Sequence, residues 1–399
     1  MTSATRPGAR PVARLTSPGE IAAVVPVLCG FVPEESLVVV SLRGPRKRVG
    51  LTMRFDLAWA VGDPAVAAAE VAARLALDGA AQVVLVVYST EPDPVEGRRA
   101  GSVGGLRSLG EDGAAAGLGS PGERRAVRAL GSAGDNATTR ALRAAPRLAW
   151  AELVLAIEQA CEPRGTALNE ALLVRDGRWW SYLCHRQSCC PPEGTPLEGR
   201  TTPALQLVEA ERVLGGRAVL ASREELRASV AGPVLLAART AEQQLDLAVD
   251  RWLDRHHREG REALRTHGLR RARALVARVQ AGGTVDGPEA AELAVAVQDV
   301  LVRDEVATWS LRRSEALMAT LLQTARQVVP PEDAAVLALL GWVAYAHGDG
   351  GLANVSLERC LTSDPDHSLG ILLVEMLHNQ VPPREIRTLM RKTRAGLRS

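Results

Sequence analysis

The chain has 399 residues, of which 46% are hydrophobic, 24% are charged and only 3% are aromatic. Its 48 basic residues balance 46 acidic ones, and this apolar, balanced composition excludes a chain that is disordered as a whole. The length predicts two or three domains, each large enough to bury a core. Because aromatic residues are so scarce, that core must consist mainly of Ala, Leu and Val.

The N-terminus carries no secretory signal pattern. Residues 1–14 are basic, contain Pro and Gly, and have no apolar segment behind them, so we expect a flexible N-terminus. The longest apolar run, about a dozen residues from Ala335 to Ala346, is too short to span a bilayer. These features, with six cysteines that show no disulfide framework, predict a cytoplasmic protein.

Helix and strand signals alternate in the first part of the chain. A capping box at Ser17 and Glu20 predicts a buried helix that ends near Leu28. Apolar strands are predicted at 36–42 and 49–56, and the Gly-Pro turn between them indicates an antiparallel hairpin.

The next signals complete a β-β-α-β order. Asp63 and Pro64 open an Ala-rich helix that ends at Gly79, and a buried strand is predicted at 83–88. This order predicts a mixed α/β sheet.

Residues 91–146 differ from their surroundings. Gly, Arg, Ser and Ala dominate without an apolar period, which predicts a flexible insertion within the α/β domain. Regular signals resume with a helix from Leu148 to Cys161, and Asp176-Gly177 between two apolar stretches predicts a hairpin. We expect the α/β domain to cover residues 15–232.

The strand signals stop beyond residue 232, and residues 233–399 are predicted to form an all-α, helical-repeat-like domain. The segment 335–365 looks like one tetratricopeptide-type hairpin, since the small residues Gly341 and Ala353 would let two helices approach closely. A degenerate repeat is expected one period of about 34 residues earlier. A packed helical cap without ligand binding is the alternative.

The most unusual local sequence is the Cys/Pro loop at 184–195. Cys184, His185, Cys189 and Cys190 are candidate ligands for zinc or a metal cluster within seven residues. Their spacing is not the C-x₂-C pair of structural zinc sites, and a nucleophilic cysteine would need a base from elsewhere in the chain. The favoured alternative is a proline-locked loop whose cysteines pack as small apolar groups.

Glu34 and Glu35 lie in a loop between a buried helix and a buried strand. They could face a cleft at the sheet edge or simply stabilise the chain reversal. Convergence of these carboxylates with Cys189, Cys190 and Glu193 would favour an enzyme or a ligand site. Dispersal would leave the cysteine loop structural.

The stretch 251–278 holds nine arginines against three acids. Arg270, Arg271 and Arg273 are candidates for phosphate contacts. No aromatic interleaving supports base stacking, and acids at helical spacing favour a solvated face with ion pairs. Two such predicted pairs are Glu259 with Arg255 and Glu262 with Arg265.

Three separated segments resemble one family. These segments are Ser17–Val40, which contains the motif GFVPEESLVVV, the string Cys189–Pro196 (CCPPEGTP) and Leu352–Pro365. Together they resemble an actinobacterial domain-of-unknown-function family. The likeness covers nearly the whole chain except 91–146. It implies a shared α/β-plus-helical architecture, and it does not point to any activity.

The sequence contains no Walker A loop, dinucleotide-binding glycine motif, HExxH pair or GxSxG elbow. We therefore interpret the chain as an interaction or regulatory protein that binds a partner protein through its helical domain. An enzyme or a small-ligand or metal binder that uses the loop 184–195 is one alternative. Nucleic-acid binding through 251–278 is the other, and the sequence does not specify which cofactor, if any, the protein binds.

Overall fold

The computed structural model describes Leu15 and residues 17–94, 137–144, 148–184, 186–197, 206, 210 and 218–397. The chain folds into two compact units. The first comprises Met1–Val25 and Pro33–Gln206, and the second comprises Pro26–Val32 and Leu207–Ser399. The expectations for residues 1–14 and for His185 lie outside the described residues.

A mixed sheet of six strands forms the centre of the first unit, as predicted. Its order is β2-β1-β3-β4-β5-β6, in which β3 and β4 are parallel and all other neighbours are antiparallel. The strands are β1 (Ser36–Arg43), β2 (Arg48–Asp56), β3 (Gln82–Tyr88), β4 (Ala167–Arg175), β5 (Arg178–Ser181) and β6 (Thr195–Pro196).

The described helices of the first region follow local signals. Helix α1 (Pro18–Cys29) is followed by α2 (Pro64–Asp78), which the Asp63 carboxylate caps by accepting two backbone N–H groups. Gly79, at φ +67°, ends α2 in the left-handed conformation. This confirms the predicted start and stop of α2.

Helix α2 packs with α4 (Ala151–Cys161) over one face of the sheet. The side chains between them are mainly aliphatic, as the composition requires, and burial of each Leu or Val stabilises the fold by about 1.5–3 kcal/mol. Tyr182 is fully buried in this core, and its hydroxyl donates a hydrogen bond of 2.6 Å to the carbonyl of Ala149. The core includes Leu37, Val39, Val71, Leu75, Val83, Leu85, Val87, Leu153, Ile157 and Leu173.

The turn between β4 and β5 has the predicted chemistry. Asp176 and Gly177 have φ values of +50° and +70°. Two central residues with positive φ match the type I′ hairpin turn, for which Asp-Gly is a preferred pair. The predicted hairpin is therefore confirmed.

One part of the stretch 91–146 departs from the predicted structureless insertion. Residues Ala137–Ala144 form helix α3, which lies against α4. Leu142 is buried, and the Thr139 hydroxyl donates a 2.7 Å hydrogen bond to the Glu158 carboxylate. With only eight residues, this helix is too short for an apolar periodicity to be recognised in the sequence. Residues 95–136 lie outside the described residues.

The second unit is mainly helical, and an isolated parallel β-bridge joins Phe31 to Leu220 within it. Its helices are α5 (Arg223–Ser229), α6 (Leu235–Gln280, non-helical at Gly260), α7 (Gly287–Ala296), α8 (Val300–Ala325, non-helical at Arg313), α9 (Asp333–Ala346), α10 (Gly350–Ser363), α11 (Ser368–His378) and α12 (Pro383–Gly396). The sequence places α5 in the α/β domain, whereas in the structure this helix belongs to the helical unit. Its residues Arg223 and Arg227 form ion pairs with Glu358 of α10.

Helices α9 and α10 form the hairpin expected at 335–365. A Cβ atom at Gly341 would lie 2.8 Å from Cγ of Leu357, so the close approach of the two helices requires glycine. Gly348, at φ +79°, ends the first helix, and the Asp349 carboxylate caps the second. One period earlier, the chain forms the single kinked helix α8. Membership of a tetratricopeptide-type repeat stays a prediction.

Within the described part of the chain, no helix combines the length and the apolarity needed to cross a membrane.

Candidate functional site

Arginine side chains surround a cleft in the helical unit, which we call the arginine cleft. It encloses about 630 Å³ between α6, α8 and α12. Arg273 comes from α6, Arg312 and Arg313 from α8, and Arg394 from α12. The remaining lining residues are Ala274, Val276, Ala277, Glu305, Thr308, Trp309 and Leu397.

The geometry of α8 places several polar groups on this cleft. Glu305, Trp309 and Arg312 are spaced by four and three residues, so they share one face of the helix. The next residue, Arg313, has φ −137° and ψ +46°, which interrupts the regular helix at the cleft. Two successive arginines therefore line the same cavity.

The described residues that line the cleft supply four guanidinium groups and one carboxylate. Glu305 forms an ion pair with Arg273, whose guanidinium also lies over the ring of Trp309, 5.2 Å from its centroid. Arg312 and Arg313 are exposed, and neither forms an ion pair with an acid that the structure describes. The local charge is consequently positive.

These groups suit the recognition of an anion. A guanidinium can donate two parallel hydrogen bonds to a carboxylate or phosphate, and it remains charged throughout the physiological pH range. The half-buried Trp309 adds an apolar surface against which part of a ligand can pack.

Among the predicted phosphate contacts, Arg273 lines the cleft, whereas Arg270 and Arg271 do not. Arg271 pairs with Glu292 of α7 at 2.8 Å, and Arg270 is exposed on α6. Phosphate binding by these three residues stays a prediction.

Ion pairs along α6 agree only partly with the predicted spacing. Arg255 and Glu259 pair at 2.9 Å within the helix, as predicted. Arg265 pairs at 2.8 Å with Asp299 instead of Glu262. Asp299 caps the first turn of α8, so the folded helices bring it to α6 from 34 residues away in sequence.

Three thiols of the Cys/Pro loop come together in the first unit. The Sγ atoms of Cys184, Cys189 and Cys190 all lie within 4.8 Å of one another, and those of Cys184 and Cys189 are 3.2 Å apart. No carboxylate among the residues that the structure describes belongs to this group. We call these three residues the cysteine triad.

The environment gives the three thiols different acidities. A backbone hydrogen bond from Arg186, together with hydrogen bonds from the neighbouring thiols, lowers the pKa of Cys184. The hydrogen bond with Cys184 raises the pKa of Cys189. Burial, reinforced by Cys184, raises the pKa of Cys190 to about 12.

The two acidic candidates near β1 lie apart from the cysteine triad. Glu35 accepts hydrogen bonds from the Ser89 hydroxyl at 2.9 Å and from the backbone N–H of Thr90 at 2.6 Å, where β3 ends. Partial burial raises the pKa of Glu35, but these hydrogen bonds outweigh it and leave the pKa below its usual value. Glu34 is exposed.

The sheet order explains this separation. Glu35 directly precedes β1, and two strands, β3 and β4, lie between β1 and β5 in the sheet. Cys184 follows β5, whereas Glu35 contacts the end of β3. Glu193, which is exposed, also lies outside the group of close ligand atoms.

A protein-family model described as "Domain of unknown function (DUF4192)" matches residues 18–384. The chain belongs to this family. The matched range contains the cysteine triad, Arg273, Arg312 and Arg313, and it ends before Arg394. Comparison with curated proteins and with solved structures gives no match. Because the family description carries no activity, the function of this DUF4192 protein has to be argued from its sites.

Sequence reasoning did not identify the arginine cleft of this DUF4192 protein. Glu305, Trp309 and Arg312 at helical spacing on one face of a helix are a signal that could have been found. Their convergence with Arg273 and Arg394, however, joins three helices that are distant in sequence.

Proposed function

We propose that this DUF4192 protein is an interaction or regulatory module whose helical unit binds an acidic segment of a partner protein in the arginine cleft. The proposal rests on one observation: among the described residues that line the cavity are four arginines and Trp309, against one acid, Glu305. Arg and Trp are the residues that most often dominate the energy of protein interfaces.

A protein partner fits the charge distribution better than a nucleic acid. Nucleic-acid binding draws on arginines along an extended positive surface. On α6, however, Arg255, Arg271 and Arg278 already pair with acids, which reduces the extended positive surface that a nucleic acid would need. A short acidic peptide matches the compact arginine cleft.

Binding also fits the chemistry of the cleft better than catalysis. A guanidinium cannot release its proton at physiological pH, so it stabilises an anion without acting as a general acid or base. Glu305, the carboxylate in the cleft, already pairs with Arg273.

Fluorescence anisotropy with a labelled octaglutamate peptide at low salt tests the proposal. The double variant Arg312→Ser/Arg313→Ser should bind at least about tenfold more weakly, because a charge-assisted hydrogen bond contributes about 1.5–3 kcal/mol and 1.4 kcal/mol corresponds to tenfold. Arg270→Ser is the matched control, since Arg270 is an exposed arginine of α6 outside the cleft.

Two outcomes would contradict the proposal. An equal loss of affinity in Arg270→Ser and in the double variant would show attraction by overall charge alone. Tighter binding of a single-stranded oligonucleotide with the same number of charges, lost in Arg270→Ser, would support the nucleic-acid alternative.

A further inference from the structure

The cysteine triad has a geometry that the arginine cleft does not explain. We infer that Cys184, Cys189 and Cys190 bind one Zn²⁺ ion through three thiolates. Tetrahedral zinc has Zn–S distances of about 2.3 Å, which places two sulfur ligands about 3.8 Å apart. The Sγ atoms of Cys184 and Cys189 are 3.2 Å apart, and all three Sγ atoms lie within 4.8 Å of one another, so the cluster has the size that such a site needs. Small side-chain rotations therefore suffice to form the site.

Backbone hydrogen bonds hold the cysteine ends of the loop in place. The backbone N–H of Cys184 donates to the Ser181 hydroxyl at 3.2 Å. The N–H groups of Cys189 and Cys190 both donate to the carbonyl of Arg186, at 3.0 and 2.7 Å. The backbone at all three cysteines is thus fixed before any metal binds, which lowers the entropic cost of binding.

The far end of the loop is anchored to β5. The Trp180 indole N–H donates a 2.9 Å hydrogen bond to the carbonyl of Pro192, and Arg178 donates one of 2.8 Å to the carbonyl of Gly194. Gly194 has φ +78°, and a Cβ atom there would overlap the Trp180 ring. Glycine at this position therefore lets the loop close tightly on the strand.

The donor set selects the metal. Three thiolates form a soft site, which favours Zn²⁺ over Mg²⁺ or Ca²⁺, and no described carboxylate belongs to the group. Three protein ligands leave the fourth tetrahedral position to a further ligand such as water. Zinc binding releases the proton of each coordinating thiol to solvent and involves no oxidation or reduction.

Metal analysis of the full-length protein tests the inference. After incubation with Zn²⁺ under reducing conditions and removal of unbound metal, we expect one equivalent of zinc per chain, and a thiolate-to-cobalt charge-transfer band when Co²⁺ replaces it. Cys189→Ser and Cys184→Ser should each lose the bound metal and the band. Cys29→Ala, which changes a buried cysteine outside the triad, should retain both.

Three results would overturn the inference. The first is wild-type protein that holds less than about a tenth of an equivalent of zinc. The second is an equal zinc content in wild type and in Cys184→Ser. The third is a Cys184–Cys189 disulfide that forms in air although zinc is saturating. Circular dichroism identifies a variant that fails to fold. In that case alkylation of the wild-type thiols decides, because bound zinc should slow the modification of the exposed Cys189.

Discussion

The helical unit uses arginine in two opposite ways. Arg359 of α10 is mostly buried, and its guanidinium donates to the carboxylate of Asp333 and to the carbonyls of Val230 and Ala325. Arg312 of the arginine cleft is exposed and forms no ion pair with a described acid. The comparison shows that the partners, rather than the residue type, determine whether an arginine stabilises the fold or is available for a ligand.

The largest expected effect comes from removing the buried arginine. Arg359→Met leaves the fully buried carboxylate of Asp333 without its ion-pair partner and should lower the free energy of unfolding by about 3–5 kcal/mol. Urea denaturation measures this loss. Arg312→Met is the matched control, and as an exposed substitution it should change stability by less than about 0.5 kcal/mol.

The pH dependence of Arg359→Met follows from the same contact. Burial raises the pKa of Asp333, against the effect of Arg359, and loss of the arginine should raise it further. A carboxyl with a raised pKa in the folded state loses stability as pH rises through that pKa. The loss of stability in Arg359→Met relative to wild type should therefore be smaller at acid pH. A deficit that is independent of pH, or as large in Arg312→Met, would contradict the distinction between the two arginines.

A smaller loss of stability is expected when a substitution disturbs the packing between α9 and α10, the hairpin that carries Arg359. Gly341→Ala places a methyl group against the buried Leu357 and should cost about 1–3 kcal/mol in the free energy of unfolding. In Gly350→Ala the new methyl group meets no atom within 4 Å, so stability should stay equal or rise by up to about 1 kcal/mol. Thermal unfolding of both variants checks this, and equal losses would contradict the close approach of α9 and α10.

The smallest expected effect lies in the arginine cleft. Glu305→Gln removes the carboxylate that pairs with Arg273 and should tighten octaglutamate binding about two- to fivefold, because exposed ion pairs contribute at most about 1 kcal/mol. Anisotropy titration measures the change. Glu259→Gln removes an acid outside the cleft that pairs with Arg255. The same gain in that variant would point to overall charge instead.

Local sequence signals predicted much of the fold because their physics acts within a few residues. Four such signals appear in the structure as expected: the capping box at Ser17, the Asp-Pro start of α2, the Asp176-Gly177 turn and the close helix approach at Gly341. Each depends on a backbone hydrogen bond, a positive φ or a close contact that the local residue types already specify.

The sites depended on contacts that no local pattern contains. The cysteine loop was recognised by its composition, but only the path of the chain brought its three thiols together and left Glu35 at the end of β3. Only the packing of α6, α8 and α12 brought Arg273 and Arg312 to one cleft and gave Arg265 its partner Asp299. Helical spacing determines which residues share a face, whereas the charge that meets that face is set by neighbouring helices in the tertiary structure.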